Sequence, residues 1–399
     1  MPPSRPSPSD PVVTGATYPV ALGFLPDTVA IDDPDHPGLR RAGSRASAPY
    51  AGGSVEVHRC DATDWVAAGG RGPDLLHGGV DTADLSGLAS LQRTLAAVRA
   101  AGRLTGSDAA SIRGSLDGAV LPLAGGGDVT VLHVAAEGLI LRSAGPNRTS
   151  AADDRAGDMD GDEHGPATSV HADQDVSGTP LVQLMDGRAP ELFRHDSPDG
   201  RNDTASLMLV NLWIPLQQVV APLVLADGRS VDRRRHQLRY GLATDSFLDR
   251  DDDMTINDIW TFLHDPAQEW WFRSEMDHRS AYVFDTCSTP HGAGVLPGED
   301  VAATYRSALG VALDAVAGGD EAGVARAAAV LGRIARPERT TPALASALAE
   351  MADLLAEAAT DPRAVCGGRS AEWSAASVEA RDRVVRRSVE LRAVVSVGA

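Results

Sequence analysis

The sequence of 399 residues contains no lysine, so every basic side chain other than histidine is arginine. This absence excludes catalysis through a lysine Schiff base, and it excludes the lysine of a nucleotide-binding P-loop. Ala, Gly, Asp and Arg are abundant, which is typical of GC-rich codon usage such as that of actinobacteria. The composition therefore bears on the origin of the chain more than on its activity.

Cysteine is also scarce. Its 3 residues, Cys60, Cys287 and Cys366, lie far apart in the sequence, which argues against a disulfide framework and a cysteine-rich zinc site. No apolar run reaches the ~18–20 residues that cross a bilayer. The first residues, MPPSRPSPSDP, lack the apolar core of a signal peptide. We therefore expect a cytoplasmic protein.

The charge balance favours acidic residues. With 36 arginines against 55 acidic residues the formal net charge is −19, and the pI is about 4.9. Such a charge repels phosphate backbones, which disfavours nucleic acid as a partner. We expect a small-molecule substrate, and neither a nucleic-acid nor a membrane partner.

The pattern along the chain predicts a disordered tail at 1–15 and a single domain at 16–399. Within that domain, the Asp/Gly/Ser-rich residues 143–169 are predicted to form an acidic mobile loop. LMLVNLWIPL at 207–216 is typical of a buried strand. Ala/Leu-rich residues 299–380 have helical spacing, and the alternating VVRRSVELRAVVSV after them predicts one more strand. The helical insertion is expected to cap the site or to form a homodimer interface.

The first candidate for chemistry is the H-x-D motif of His171 and Asp173. Side chains at i and i+2 of a strand share a face, so this pair offers two of the three ligands of a non-haem Fe(II) facial triad. The third ligand would be a histidine on a later strand. His291 fits best, since it follows the predicted strand SAYVFDTC directly. Three other histidines stay open for this position: His236, His264 and His278.

The second candidate is the segment RRSVELR at 386–392. On a strand, Arg386, Ser388, Glu390 and Arg392 would share one face. An arginine there could hold the far carboxylate of a 2-oxo acid through its planar, permanently charged fork. The alternative is an edge strand with a solvated face. Asn211 lies on the predicted strand 207–216 and could face the same site.

These motifs occur in a recognisable order: VHADQD, VNLWIPL, PLVLADGRSV, EWWFRSEMDHRS, STPHGAG and RRSVELRAVV. The ordered set resembles the iron(II)/2-oxoglutarate hydroxylase/desaturase family related to the cephamycin C-7 hydroxylase component and to fungal meroterpenoid oxygenases. The resemblance spans about 165–299 and 384–395. It implies an α+β fold with a double-stranded β-helix (jelly-roll, cupin-like) core, flanking helices and a helical insertion at 299–380 before the last core strand. Unlike the usual family pattern, Arg386 lies 95 positions after His291.

The resemblance also implies cofactors and roles. The cofactors are Fe(II), 2-oxoglutarate and O2. The implied iron ligands are His171, Asp173 and His291. Arg386 with Ser388 would hold the distal carboxylate of 2-oxoglutarate, and Arg392 is the second candidate for that role.

The implied activity is the hydroxylation, desaturation or oxidative cyclisation of a small-molecule intermediate in bacterial natural-product biosynthesis. Halogenating relatives lack the carboxylate that Asp173 provides, so its presence disfavours halogenation. Two alternatives stay open: a cupin-like metal-dependent isomerase or lyase, and a non-catalytic partner protein that uses the helical block.

Overall fold

The computed structural model describes residues 17–33, 37–42, 55–69, 72–135, 138–144, 161–164, 167, 169–174, 207–217, 219–243, 256–333 and 339–398. The predicted tail at 1–15 and most of the predicted loop at 143–169 lie outside these residues.

Most of the chain before residue 299 forms strands, which are β1 (Thr17–Phe24), β2 (Ala30–Asp32), β3 (Arg40–Ala42), β4 (Glu56–Asp64), β5 (Val80–Asp84), β6 (Val120–Pro122), β7 (Asp128–Val134), β8 (Ile140–Ala144), β9 (Gly161–His164), β10 (His171–Ala172), β11 (Leu207–Gln217), β12 (Leu223–Ala226), β13 (Gln237–Ala243), β14 (Ile256–Phe262), β15 (Trp270–Phe272), β16 (Ser280–Asp285) and β17 (His291–Ala293). The last strand, β18 (Arg386–Val397), follows the helices of the C-terminal part.

The helices fall into two groups. Ala89–Ala101 and Gly106–Leu116 precede β6, and the short Arg233–His236 precedes β13. The second group, called the helical segment below, consists of Glu299–Ala317, Glu321–Ala328, Pro342–Thr360, Pro362–Cys366 and Ser370–Arg383. Short 3-10 turns occur at Asp27–Val29, Gly228–Ser230 and Ala329–Arg333. Within the described part of the chain, none of the helices combines the length and the apolar character that crossing a membrane requires.

The strands form two sheets, so the fold is mixed α+β. The first sheet has the order β1-β4-β15-β12-β17-β10-β14-β13-β3-β2. The second has the order β5-β16-β11-β18-β7-β6, with β8 also paired to β18 and β9 paired to β8. The apolar run of β11 lies at the centre of the second sheet, between β16 and β18, where both of its faces are covered.

The two sheets face each other, and helices cover their outer faces. Trp213 and Tyr282 of the second sheet pack in one cluster with Leu223 and Leu225 of the first. The opposite face of the second sheet packs on helices Ala89–Ala101 and Gly106–Leu116. The opposite face of the first sheet packs on the helical segment. The space between the sheets is therefore enclosed by protein on both sides.

Two parts of the predicted acidic loop are strands instead. Residues 143–144 end β8, and Gly161–His164 forms β9, which pairs with β8 in parallel. β9 forms through backbone hydrogen bonds with β8. The composition of the segment did not predict it, because composition carries no information about a pairing partner that is distant in sequence. The helices after β17 extend to Arg383, three residues beyond the predicted limit of 380.

Candidate metal and 2-oxo acid site

The two histidines of the candidate site are neighbours across a pair of strands. β10 and β17 are antiparallel, and their register sets His171 directly opposite His291. Both residues are buried, with 6% and 5% of their surface exposed. Their ring centroids are 4.4 Å apart. Sheet register thus joins two residues that lie 120 positions apart in the sequence.

Each imidazole is oriented by a backbone carbonyl two residues earlier in the chain. His171 Nδ1 lies 2.8 Å from the Ser169 oxygen, and His291 Nδ1 lies 2.9 Å from the Thr289 oxygen. A carbonyl oxygen only accepts hydrogen bonds, so Nδ1 of each ring carries the proton. In the neutral form of either ring the lone pair is therefore on Nε2, which is the arrangement that metal-ligating histidines adopt.

Asp173 completes the cluster. Its Oδ1 lies 3.0 Å from His171 Nε2 and 3.6 Å from His291 Nε2. One ligand atom from each of the three residues lies within 4.8 Å of the others. Two nitrogens and one carboxylate oxygen at this spacing can bind one metal ion from one side. The donor set is that of the 2-His-1-carboxylate facial triad of non-haem Fe(II) oxygenases.

The second oxygen of the carboxylate is held from the other sheet. Asn211 on β11 donates a hydrogen bond from Nδ2 to Asp173 Oδ2. Arg392 on β18 lies with Nη2 3.5 Å from the same oxygen. Asn211 and Arg392 are paired in the β11/β18 register, so they reach Asp173 as neighbours. These contacts leave Oδ1 directed at the histidines.

The protonation states of the cluster suit metal binding. Burial, together with the neighbouring His291, lowers the pKa of His171, so this ring is neutral at pH 7. Burial alone would raise the pKa of Asp173, but the contacts with the two histidines and the charge of Arg392 hold this pKa well below its ordinary value. The Asp173 carboxylate is therefore ionised and the His171 ring is neutral, as metal ligands must be.

Arg386 and Ser388 lie on the same face of β18 as Arg392. Arg386 is 2% exposed, donates a hydrogen bond from Nη1 to the Ala221 oxygen at 2.8 Å, and lies over the Trp213 ring at 5.4 Å. Burial lowers the pKa of Arg386 to about 10, so it stays charged at neutral pH. Arg386 Nε and Ser388 Oγ are buried and have no hydrogen-bond partner among the residues that the structure describes. Unpaired buried donors cost roughly 1–3 kcal/mol each, so these two atoms suit a bound carboxylate.

A further arginine lies beside these residues. Arg142 on β8 is opposite Ser388 in the β8/β18 register, and its Nε is 2.6 Å from Glu390 Oε1. The sequence pattern missed Arg142, although an arginine that ends the apolar run GLILR was a signal. Glu390 was expected on the polar face of β18, but its partner could not be inferred from spacing.

The other candidate histidines lie elsewhere. His264 stacks on His58 at 4.1 Å, and His236 Nε2 lies 3.1 Å from Asp265. His278 belongs to the turn before β16. Among the described residues, the group that can hold a metal consists of His171, Asp173 and His291 alone.

A surface cavity of about 640 Å³ lies apart from this group, between the end of β11, the turn at 273–280 and the helical segment. Its lining contains none of the three residues of the candidate metal site. The arginines and carboxylates of its lining include the pair Arg383–Glu350, 2.9 Å apart. We assign it no role in the chemistry.

Comparison with known proteins gives three results. A protein family described as "Oxidoreductase/YMDC permease-like domain" matches residues 141–297. The curated proteins contain no match. Among solved structures, the chain is similar to "iron and alpha-ketoglutarate-dependent endoperoxidase NvfI", with 12% identity, a TM-score of 0.43, and coverage of 96% of this chain and 99% of that one. A second structure of that enzyme, in a different conformation, has 13% identity, a TM-score of 0.46 and the same coverage, 96% and 99%. The enzyme in both structures is iron- and alpha-ketoglutarate-dependent, which is the class that the sequence motifs resemble.

Proposed function

We propose that this protein is an Fe(II)/2-oxoglutarate-dependent dioxygenase that oxidises a small molecule by hydroxylation, desaturation or oxidative cyclisation. The observation that carries the proposal is the convergence of His171, Asp173 and His291 into one group that can hold a metal. The buried Arg386 on β18, which has an unpaired donor, supports it. When bound, iron with 2-oxoglutarate and O2 supplies the oxidant that removes a hydrogen atom from a substrate carbon. The protein's part is to hold, orient and enclose these groups.

In this proposal, His171 and His291 bind Fe(II) through Nε2, and Asp173 binds through Oδ1. The carbonyls of Ser169 and Thr289 fix the two rings, because each accepts the Nδ1 proton. Ligand orientation of this kind tunes metal affinity by about 10- to 100-fold in known sites. Three protein ligands leave coordination positions for a bidentate 2-oxo acid and O2.

Arg386 and Ser388 bind the distal carboxylate of 2-oxoglutarate. The guanidinium offers a planar pair of donors, which matches the two oxygens of a carboxylate better than a point charge does. Trp213 supports the guanidinium on one face, and the Ala221 carbonyl holds Nη1. Arg392 instead orients Asp173, so the two arginines of β18 have separate tasks.

The proposed architecture is a double-stranded β-helix that encloses this site between its two sheets, interrupted before β18 by the helical segment. The substrate is a small molecule from bacterial natural-product biosynthesis, and the protein acts in the cytoplasm. A homodimer formed through the helical segment stays a prediction. The charge of −19 supports neither a nucleic acid nor an anionic membrane surface as a partner.

Anaerobic addition of Fe(II) and then 2-oxoglutarate to the purified protein tests the proposal. Chelation of iron by the 2-oxo acid should produce a weak visible charge-transfer band, and His291→Ala should abolish it. The proposal is wrong if the protein retains iron but gives no band and no change in iron spectroscopy with 2-oxoglutarate.

The unpaired donors of Arg386 and Ser388 also discriminate between the alternatives. A cupin-like isomerase or lyase needs the metal group but has no requirement for a carboxylate clamp beside it. A non-catalytic partner protein requires neither group. Metal uptake without 2-oxoglutarate binding would favour the isomerase or lyase, and no metal uptake would favour the partner protein.

A further inference from the structure

The turn between β11 and β12 contains a residue in an unfavourable backbone conformation. Ala221 has a φ of 45°, and it is the only non-glycine residue with a positive φ among the residues that the structure describes. The left-handed backbone region is unfavourable for an L-residue that carries a Cβ. Such a conformation persists where the surrounding structure holds it in place. The contacts of Ala221 therefore identify what fixes this turn.

Two charged side chains form hydrogen bonds with the backbone of Ala221, one with its N–H and one with its carbonyl oxygen. Glu299 Oε1 accepts a hydrogen bond from the Ala221 N–H at 2.7 Å, and it also accepts one from the Leu296 N–H at 2.9 Å. On the other side, Arg386 Nη1 donates to the Ala221 carbonyl at 2.8 Å. The same residue thus links the carboxylate of Glu299 to the guanidinium of Arg386.

Glu299 is the first residue of helix Glu299–Ala317 and so the first residue of the helical segment. The helix packs on the first sheet through residues that include Val301, Tyr305 and Leu309. A carboxylate in the first turn is favoured by the helix dipole, but here it is turned to the backbone of the β11/β12 turn. The helical segment is therefore anchored at the residue that also holds Arg386.

We propose that Glu299 is a positioning residue for the 2-oxoglutarate clamp, because it fixes the Ala221 turn on which the Arg386 guanidinium rests. This inference depends on the proposed function, since it takes Arg386 as the residue that binds the distal carboxylate. It assigns the helical segment a role in cofactor affinity, which neither the triad nor β18 alone would imply.

The charges around Glu299 give the inference a measurable signature. Arg386 faces Glu299 from β18, and Asp300 lies next to it on its own helix. The charges of Glu390 and Arg142 act on Arg386 as well. Burial raises the pKa of Glu299 to about 7. A ligand carboxylate on Arg386 adds a second anion near Glu299, so binding raises this pKa further and draws in a proton near neutral pH.

Calorimetric titration of the Mn(II)-loaded protein with 2-oxoglutarate measures both effects without turnover. Titrations at pH 6, 7 and 8, in buffers with different ionisation enthalpies, give the dissociation constant and the number of protons taken up. The wild type should bind 2-oxoglutarate more weakly as the pH rises through about 7 and should take up part of a proton per ligand. Glu299→Gln keeps an oxygen that can accept both N–H bonds and cannot ionise, so its affinity should be constant with pH and its proton uptake close to zero.

Two further variants separate positioning from charge. Glu299→Ala loses the acceptor, so it should bind 2-oxoglutarate about 10-fold more weakly at every pH, a loss that Glu299→Gln largely restores. Asp300→Asn is the matched control, since it removes the neighbouring exposed charge of the same helix. It should keep the pH dependence and the proton uptake, with the midpoint moved to slightly lower pH because Asp300 adds to the raised pKa of Glu299. Circular dichroism checks that each variant is folded, and Glu299→Gln alone decides the question if Glu299→Ala does not fold.

The outcomes distinguish this inference from the proposed function. If the wild type binds 2-oxoglutarate and Arg386→Lys weakens binding, but Glu299→Gln keeps the wild-type proton uptake and pH profile, the role of Glu299 is wrong and the proposed function stands. If the wild-type Mn(II) protein binds no 2-oxoglutarate, the proposed function fails, and the role of Glu299 fails with it.

Discussion

Replacement of Arg386 by lysine tests the carboxylate clamp most informatively. Lysine keeps the positive charge but replaces the planar fork with one ammonium group. The variant can then satisfy either the Ala221 carbonyl or a ligand oxygen with good geometry, while the wild-type guanidinium has separate nitrogens for the two tasks. We therefore expect weaker 2-oxoglutarate binding with little effect on metal binding.

The size of the effect follows from the contacts. Loss of one charge-assisted hydrogen bond costs about 1.5–3 kcal/mol, which corresponds to roughly 10- to 100-fold in the dissociation constant. Ser388→Ala removes a neutral donor and should cost about 1 kcal/mol, or roughly 5-fold. The Trp213 ring can still contact an ammonium group, so the loss of the fork is the main term.

The assay is a titration of Mn(II)-loaded protein with 2-oxoglutarate, and Arg387→Lys is the matched control. Arg387 is the next residue of β18, but its Nη1 and Nη2 bind the two oxygens of Asp382 at 2.9 and 2.5 Å. Arg387→Lys should therefore leave 2-oxoglutarate affinity unchanged. Equal affinities for Arg386→Lys and the wild type would refute the clamp. A larger loss in Arg392→Lys than in Arg386→Lys would transfer the clamp to Arg392.

The remaining predictions concern the metal ligands, their support and pH. His291→Ala should abolish turnover and iron retention while the far-ultraviolet circular dichroism stays that of the wild type, and full activity would rule out His291 as a ligand. Asp173→Gly should still take up some iron and 2-oxoglutarate but should yield no oxidised product, so an unchanged product yield would contradict the role of Asp173. Asn211→Ala frees Asp173 Oδ2 and should weaken Mn(II) binding by about 10-fold in a metal titration, whereas unchanged affinity would show that Asn211 does not orient the ligand. The folded protein holds the Glu299 proton more tightly than the unfolded chain does, because its pKa is about 7 against an ordinary 4.5, so stability present at low pH is lost between these values as pH rises. The melting temperature of the metal-free wild type should therefore fall relative to Glu299→Gln from pH 5 to pH 8, and parallel curves would contradict the raised pKa.

The sequence predicted those parts of the site that follow from the alternation of side chains along a single strand. The i and i+2 spacing of His171 and Asp173 and the alternation of β18 set which side chains share a face. Asn211 was a candidate to face the site, and its contact with Asp173 became visible only with the β11/β18 register. The local pattern thus predicts which side chains share a face of a strand, while the register between strands determines which side chains contact each other.

Other parts could not be predicted because they depend on pairings distant in sequence. The sequence indicated His291 as the third ligand, but its position directly opposite His171 is a property of the β10/β17 register, and no periodicity spans the 120 positions between them. Arg142 meets Glu390 only because β8 pairs with β18. The link from Glu299 to Arg386 runs through Ala221, whose φ is positive. An alanine in the sequence gives no signal for this conformation, whereas a glycine would.

The same limit applies to the fold. Apolar runs and alternation identified β11, β16 and β18, and Ala/Leu spacing identified the helical segment. The sequence carried no sign that the acidic segment before β10 contributes β9. It also did not indicate that the helical segment covers the outer face of the first sheet, since the apolar stripe of a helix does not specify which apolar surface it packs against.

The central claim is that His171, Asp173 and His291 hold one iron ion beside Arg386. Anomalous X-ray diffraction at the iron edge, from crystals grown anaerobically with Fe(II) and 2-oxoglutarate, measures this directly. We expect one anomalous peak within bonding distance of Nε2 of His171, Nε2 of His291 and Oδ1 of Asp173. The distal carboxylate of 2-oxoglutarate should lie on Arg386. A peak at the stacked pair His58 and His264, or none between His171 and His291, would contradict it.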